Sequence, residues 1–430
     1  MLRTHYTSEI TEKEVGKEIT VAGWVKKIRD LGKLKFIMLR DGKGIIQVTV
    51  KEAEQEIENT VNQLGSEWVI SVHGKVEKNE SAPGGFEIIP SSIQILNPSA
   101  SPLPLDITGH VESDLDTRLN HRYLDLRRPE VASIFKIKSV IQNSFLTFFK
   151  ENGFITINPP SIVAAATESG ANLFPISYFE KEAFLAQSPQ LYKQMLLATG
   201  LDKVVMITPA FRAEEHDTTR HLNEVMQMDI ELAFVQDEED ALKPLEQVVN
   251  RIHKDVKEKC GKELELLGID LKVPEIPFKR LSYDEALVEL RKGGIDIKWG
   301  EDLTPEAERY LCSKFDPVII KKWPTEIRAF YSMPDPENPK VCRSYDLLYG
   351  GIEILSGAQR IHKLDDLLDQ FNKRGMNPES FEFYTNAFRY GMPPHAGWSI
   401  GLERITTIIT GKKNIREASL YPRTRTRLVP

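Results

Sequence analysis

The chain has 430 residues, 41% of them hydrophobic and 28% charged, which leaves room for two or three domains with sizeable cores and excludes a small disulfide-built scaffold, a disordered chain or a fibrous repeat. Its 56 Lys and Arg against 63 Asp and Glu give a formal charge of −7, so nucleic-acid contact has to be regional rather than a basic coat over the whole surface. Cys260, Cys312 and Cys342 are far apart and form no CxxC pair, which speaks against a disulfide framework or a cysteine zinc site. With no apolar leader at Met1–Glu9 and no run of membrane-spanning length, the expectation is a cytoplasmic protein without membrane association.

Residues 18–96 read as five short strands: Glu18–Ile28, Lys35–Arg40, Gly44–Val50, Trp68–Val76, and Phe86–Leu96 with a kink at Pro90. The turn signals Asp41-Gly42-Lys43-Gly44 and Pro83-Gly84-Gly85 divide them, and so many strands in so short a stretch predict a small barrel of the OB type. Residues 21–43 carry seven Lys and Arg against two Asp, a net of +5. This is the regional basic face that the composition permits.

Asn97–Pro129 is rich in Pro, Ser, Asp and Arg and lacks sustained periodicity, which predicts a barrel domain over 1–104, a linker over 105–130 and a second domain over 131–430. Ile134, Ile137, Ile141, Phe145, Phe148 and Phe149 keep helical spacing, with Gly153 where a C-terminal cap belongs. Beyond them the β-like runs Val204–Ile207, Met228–Phe234 and Gly351–Leu355 alternate with helical stretches, the pattern of an α+β domain on a mostly antiparallel sheet flanked by helices. The charged, helical stretch over about 237–340 reads as an insertion without site chemistry.

Three constellations could carry chemistry. In Phe211–Leu222, Arg212 and Glu214 stand two apart and read as strand residues projecting to one face, where a guanidinium could hold a phosphate with the loop Glu215–Thr219 closing over it; the alternative is a solvated charged hairpin. In Gly397–Ile409, small residues alternate along a strand and Gly401 opens an apolar helix whose first turn carries Arg404, a place for a nucleotide phosphate or simply a tightly packed turn. Between them, in the run that also holds Arg360, Asp346, Glu353 and Ser356 offer hard oxygen ligands for Mg²⁺; the alternative is a buried ion pair of Glu353 with Arg360.

In this order the three stretches make the chain resemble the class II aminoacyl-tRNA synthetases. Phe211–Glu214 is similar to that class's second signature motif, Gly401–Arg404 to its third, and Gly153–Pro160 to its first, the dimer-interface motif ending in proline. The barrel in front narrows the resemblance to the subclass for Asp, Asn or Lys, and the compact form is most similar to archaeal aspartyl-tRNA synthetases. It implies ATP as substrate, Mg²⁺, L-aspartate, a homodimer, and tRNA(Asp) as partner. By the same resemblance Glu168, Ser188, Gln190, Lys193, Arg212, Asp229, Ser356 and Arg360 bind aspartate. Arg212, Glu214, Arg220, His221, Leu222, Glu353, Gly401, Leu402, Glu403 and Arg404 bind ATP, with Arg212 catalytic at the α-phosphate and Arg404 at the γ-phosphate. Asp346, Glu353 and Ser356 hold the metal.

In Ala186–Gln194 an ammonium follows an amide by three residues, and Lys193 with Arg360 would make a doubly cationic hole suited to a carboxylate side chain. That disfavours an asparaginyl enzyme, the nearest alternative. A paralogue that binds RNA without ligating anything is disfavoured by the joint presence of Arg212, Glu353 and Arg404. Two positions depart from the family pattern: Val225 stands where an aromatic stacks on adenine, and Ser399 replaces a glycine of the third motif. His395 lacks a carboxylate near it in sequence and is assigned a structural role.

On the barrel, Phe36 is the stacking candidate for anticodon bases, with barrel core as its alternative role, and Arg29, Gln47 and Glu87 are edge readers by resemblance. Lys26 and Pro83 occupy the positions where enzymes restricted to tRNA(Asp) carry a Trp and a Lys. Their departure points to an enzyme that also charges tRNA(Asn).

Overall fold

The computed structural model describes residues 2–51, 54–164, 173–215 and 218–430, and the chain divides into two compact units, residues 1–104 and 105–430. In the first, β1 (Glu18–Asp30), β2 (Leu34–Arg40), β3 (Ile45–Lys51), β4 (Val69–Lys78) and β5 (Phe86–Asn97) close a barrel in the order β1-β2-β3-β5-β4. Alternation sends Val21, Ile37, Leu39, Val48, Val72 and Ile88 inward. The kink at Pro90 is a register shift against His73 and Gly74 of β4, and a second shift in β1 leaves Lys26 as the extra residue opposite β2. A helix absent from the sequence reading, Gln55–Gln63, joins β3 to β4 and buries Ile57 and Val61 in the barrel core. Two apolar residues four apart are a short signal in an otherwise polar segment.

In the second unit the strands are β6 (Ile155–Thr156), β7 (Ile162–Val163), β8 (Pro175–Tyr178), β9 (Lys181–Leu185), β10 (Lys203–Phe211), β11 (Glu224–Ala233), β12 (Lys279–Ser282), β13 (Val318–Lys321), β14 (Ser344–Tyr349), β15 (Ile352–Gln359) and β16 (His395–Gly401). Eight of them form one sheet in the order β12-β13-β14-β15-β16-β11-β10-β6. The pairs β12–β13 and β10–β6 at its two edges are parallel and the rest antiparallel. A small sheet β7-β9-β8 stands apart.

The helices Pro129–Glu151 and Glu239–Lys259 cover one face of the large sheet. Ile137, Ile141, Phe145 and Phe149 of the first and Leu245, Val249, Ile252 and Val256 of the second share a core with Met228, Ile230, Leu355, Trp398 and Ile400. The indole of Trp398 also donates to Ala241 O at 2.9 Å. Among the described residues no helix is long and apolar enough to cross a membrane.

Two expectations about organisation are corrected. Residues 105–130 are no free linker: Leu115–Asn120 and Arg122–Asp125 are helical, and Arg122 and Asp125 are fully buried, with Nη1 of Arg122 2.7 Å from Asp125 Oδ2 and Nη2 donating to Glu417 O and Ser419 O. Nor is 237–340 purely helical or without a part in the cleft, since β12 and β13 extend the sheet, Glu239–Lys259 supplies a large share of the main core and Arg328 lines the cleft described below. In both stretches charged residues mask the periodicity, because the buried charges are paired and the helix buries one face only.

Candidate active site

Along β16, Ala396, Trp398 and Ile400 point into the core, so Gly397, Ser399 and Gly401 face the other way. On β11 the same alternation puts Met228 and Ile230 in the core and Gln227, Asp229 and Glu231 opposite. On that opposite face lies a cleft of about 360 Å³, the size of a small-ligand pocket. Register sets its floor: Asp229 lies opposite Ser399, Ser399 opposite Ser356, and Ser356 opposite Asp346, a polar row across four adjacent strands.

Glu353 and Ser356 both line the cleft, although three residues apart on a regular strand they would face opposite ways. A bulge resolves this. Leu347 pairs with Leu355 and Leu348 with Glu353, so Ile354 is the additional residue, and Ile354 and Leu355 both turn into the core. The tight turn feeding this strand, Tyr349-Gly350-Gly351-Ile352, holds Gly350 at φ 60° and Gly351 at φ 83°, the two left-handed residues of a two-residue hairpin.

One end of the cleft is closed by four buried charges. Lys193 Nζ lies 2.8 Å from Asp229 Oδ1 and 3.2 Å from Glu231 Oε2, and Arg360 donates to both oxygens of Glu231 at 2.9 and 3.3 Å. Asp229 Oδ2 accepts from Ser399 Oγ at 3.0 Å. Burial pushes the Glu231 carboxyl up, and Arg360 and Lys193 outweigh it, holding it below the usual carboxylate range. Gly397 is required here: a Cβ would stand 2.1 Å from Glu231 Oε2 and 2.3 Å from Ile230 O.

The expected doubly cationic hole is thereby corrected. Both cations are matched by carboxylates, and Lys193, 1% exposed, lies beneath the cleft rather than lining it. The partners come from 36 and 38 residues along the chain, on β11, because buried cations persist only when paired. His395 sits beside this network. Its Nδ1 is 2.8 Å from Pro393 O and its Nε2 2.8 Å from Gln194 Nε2, and burial pushes it down to about 4.

The other end carries looser pairs. Arg404, in the first turn of the helix Leu402–Ile409, donates to Glu353 O at 2.7 Å and lies 3.8 Å from its carboxylate. Glu353 is therefore not the buried partner of Arg360. His221 is 3.8 Å from Glu214, and Arg220 pairs with Glu308 of the helix Pro305–Lys314. Burial pushes His221 down, with the Glu214 carboxylate opposing and Arg404, Arg220 and Arg212 adding to the fall. The strand β10 ends at Phe211, so Arg212 and Glu214 lie just beyond it rather than on it. The amide of Arg212 still pairs with Asn223 O at 2.9 Å, and both side chains line the cleft.

Ser188, Gln190, Leu222 and Gly401 also line it, as do Val225, at the position expected beside adenine, and the unforeseen Gln227 and Arg328. Leu402 does not: its side chain is fully buried in the core. Glu403 borders the cleft, yet its carboxylate is held by Lys138 at 2.7 Å and by Met226 N at 3.0 Å. Glu168, His216 and Asp217 lie outside the described residues. Asp346 lies below the cleft, bonded to Arg328, which also donates to Ser356 Oγ at 3.1 Å. The expected Mg²⁺ donors are hard oxygens on one face of the sheet, which suits that ion. Arg328, from the supposed insertion, was the missed member of the group, and no periodicity or motif connects it with Asp346.

On the barrel, Phe36 is half-buried between Arg29 of β1 and Thr49 of β3 in register and takes no part in the core, which contains its neighbour Ile37. Core packing is thus ruled out as its role. Glu87 accepts from Gln47 Nε2 at 2.9 Å, Thr49 Oγ1 at 2.5 Å and Asn79 Nδ2 at 2.8 Å. Burial raises the Glu87 carboxyl, but these donors prevail and keep it below its ordinary value. Of the seven basic residues, Lys35 pairs with Asp30, Lys43 with Glu9 and Arg40 with Glu67. Lys26, Lys27, Arg29 and Lys33 are exposed, and Pro83 sits exposed in the turn Pro83–Gly85.

A family model described as tRNA synthetases class II (D, K and N) matches residues 114–425, and one described as OB-fold nucleic acid binding domain matches residues 19–96. The chain is 52% identical over 431 residues to the aspartate–tRNA(Asp/Asn) ligase of Methanothermobacter thermautotrophicus, covering 100% of this chain and 98% of that one. It is 49% identical over 438 residues to the aspartate–tRNA(Asp) ligase of Thermococcus kodakarensis, covering all of both. The asparaginyl-tRNA synthetase of Pyrococcus horikoshii, solved with asparaginyl-adenylate, superposes with a TM-score of 0.94 at 34% identity over the whole of both chains.

Proposed function

Because the chain belongs to the class II tRNA synthetases of the Asp, Lys and Asn group, we propose that it is an aspartate–tRNA ligase, activating L-aspartate with ATP and passing it to the 3′ end of tRNA(Asp) and of tRNA(Asn). The observation that carries the activation step is the assembly in one cleft of Arg212, Arg404, Glu353 and Ser356 beside Asp229 and Arg360. Full-length relatives at about half identity favour aspartate over asparagine.

The aspartate α-carboxylate attacks the α-phosphorus of ATP in line and pyrophosphate leaves; a hydroxyl of the terminal adenosine then attacks the carbonyl carbon of the mixed anhydride, and the acyl–phosphate bond breaks to release AMP. The protein orients and neutralises rather than supplying a nucleophile. Asp229 offers its carboxylate to the substrate ammonium, and Arg360 faces the substrate side chain. Arg212 binds the α-phosphate and Arg404 the γ-phosphate. Glu353 and Ser356, with Asp346, would hold Mg²⁺, which when bound neutralises phosphate charge. His395, buried and neutral near pH 7, takes no part.

The exposed Ile155 on the edge strand β6, within Gly153–Pro160, supports dimerisation through the first motif. The outward Phe36, with Arg29, Gln47 and Glu87, supports stacking and edge recognition of anticodon bases. Lys26 stands in place of a Trp and Pro83 in place of a Lys, so neither position carries the residue that favours one first anticodon base.

ATP–pyrophosphate exchange with aspartate and with asparagine tests the first step; equal rates would overturn the aspartate assignment. Aspartylation of native tRNA(Asp) and tRNA(Asn) side by side is expected to differ by less than a hundredfold. A larger preference for tRNA(Asp) would reject dual charging alone. Sedimentation at micromolar concentration is expected to show a dimer.

A further inference from the structure

Arg328 lies in the segment first read as an insertion. It follows the short turn Thr325–Ile327, which Thr325 ties down by accepting from Arg374 at 2.9 Å and by donating from its amide to Lys340 O at 2.9 Å. Its guanidinium stacks 4.8 Å from the ring centre of Trp323, itself fully buried. From this platform Nη2 hydrogen-bonds Asp346 Oδ1 and Ser356 Oγ. Two of the three oxygen groups assigned to the divalent ion are thus held by one fixed monocation.

Asp346 is 1% exposed, so its carboxylate has little access to water and needs a cation wherever it is ionised. A guanidinium and a divalent ion cannot both sit against that oxygen, because like charges at contact in a buried place repel strongly. Arg328 also lines the cleft beside Glu353 and Ser356, so a guanidinium leaving Asp346 stays where the phosphates of ATP would lie.

We infer that Arg328 is the resident countercation of Asp346 and Ser356, a positioning residue that has to release Asp346 before a divalent ion is held there. This rests on the metal assignment made above and assigns its regulation to a residue of this chain. It predicts weak divalent binding without nucleotide, so that metal and ATP enter together.

The experiment is titration of the full-length protein with Mn²⁺ in the absence of nucleotide, following free Mn²⁺ by electron paramagnetic resonance. Arg328→Met is expected to tighten one site at least tenfold over the unsubstituted protein, and adding Asp346→Asn to it is expected to abolish that gain. Arg328→Gln serves equally if the methionine variant does not fold. Unchanged Mn²⁺ affinity in a folded Arg328 variant, or a gain that survives Asp346→Asn, would overturn the inference. Because the readout is metal binding and not activation, that outcome is distinguishable from a failure of aspartate-dependent exchange.

Discussion

At the end of the cleft proposed for the amino acid Lys193, Asp229, Glu231 and Arg360 are all more than nine-tenths buried and bonded to one another, whereas at the end proposed for the phosphates Arg220, Arg404, Glu353 and His221 keep a quarter to two-fifths of their side chains exposed in pairs as long as 3.8 Å. The first group is a closed polar core. In the second each charge still has lone pairs and protons to offer. The contrast follows from what each end would receive: a small zwitterion has to be matched at fixed atoms, while a triphosphate brings enough charge to reorganise its partners. Buried pairs are costly to break and exposed ones are not, so stability and activity should separate along the cleft.

The largest effect is expected for Glu231→Gln, which leaves Lys193 and Arg360 with Asp229 as the remaining carboxylate. Urea unfolding should show a loss of about 3–5 kcal/mol, the usual cost of breaking a buried ion pair. Arg404→Ala should behave oppositely, lowering pyrophosphate exchange by roughly 10²–10³-fold while the unfolding free energy moves by less than about 1 kcal/mol. If Arg404→Ala were as destabilising as Glu231→Gln, the two ends would not differ in kind.

Gly397→Ala probes the closed end with a single methyl, which has to displace Glu231 or the β11 backbone. A loss of about 1–3 kcal/mol is expected, as for overpacking elsewhere, with a raised KM for aspartate and little change in the KM for ATP.

The last effect is a slope with pH rather than a fixed loss. His395 is held at about 4 by burial, as is His253 in the helix Glu239–Lys259. Between about pH 6.5 and 4 the unfolded chain binds their protons and the folded one does not, so stability is full above this window and lost as pH falls through it, by about 1.4 kcal/mol per unit for each histidine. Calorimetry of a His395→Gln variant should show a shallower slope. An unchanged slope would remove His395 from the buried network.

The barrel was legible from sequence because turn residues bracket each strand and alternation gives each strand its inner face: all five strands form with ends within two residues of expectation or slightly longer. The cleft was legible where neighbours in sequence are neighbours in the site, as at Arg212 and Glu214 or Gly401 and Arg404. It was illegible where partners meet across strands. Nothing in the run around Lys193 announces Glu231, and nothing near Asp346 announces Arg328. The two-sided role of Glu353 and Ser356 depends on a bulge that a period-two reading puts on opposite faces.

The row from Asp229 through Ser399 and Ser356 to Asp346 has a metric meaning. Its members stand on four consecutive strands, and strands are spaced about 4.8 Å apart, so its ends are separated by three spacings, roughly 14 Å. The interval between Asp229 and Asp346, the carboxylates proposed for the amino-acid ammonium and for the metal ion, is therefore set by backbone hydrogen bonds. Side-chain substitutions can change what is gripped at either end. They cannot alter the length of the gauge, which only a slip in strand pairing would change.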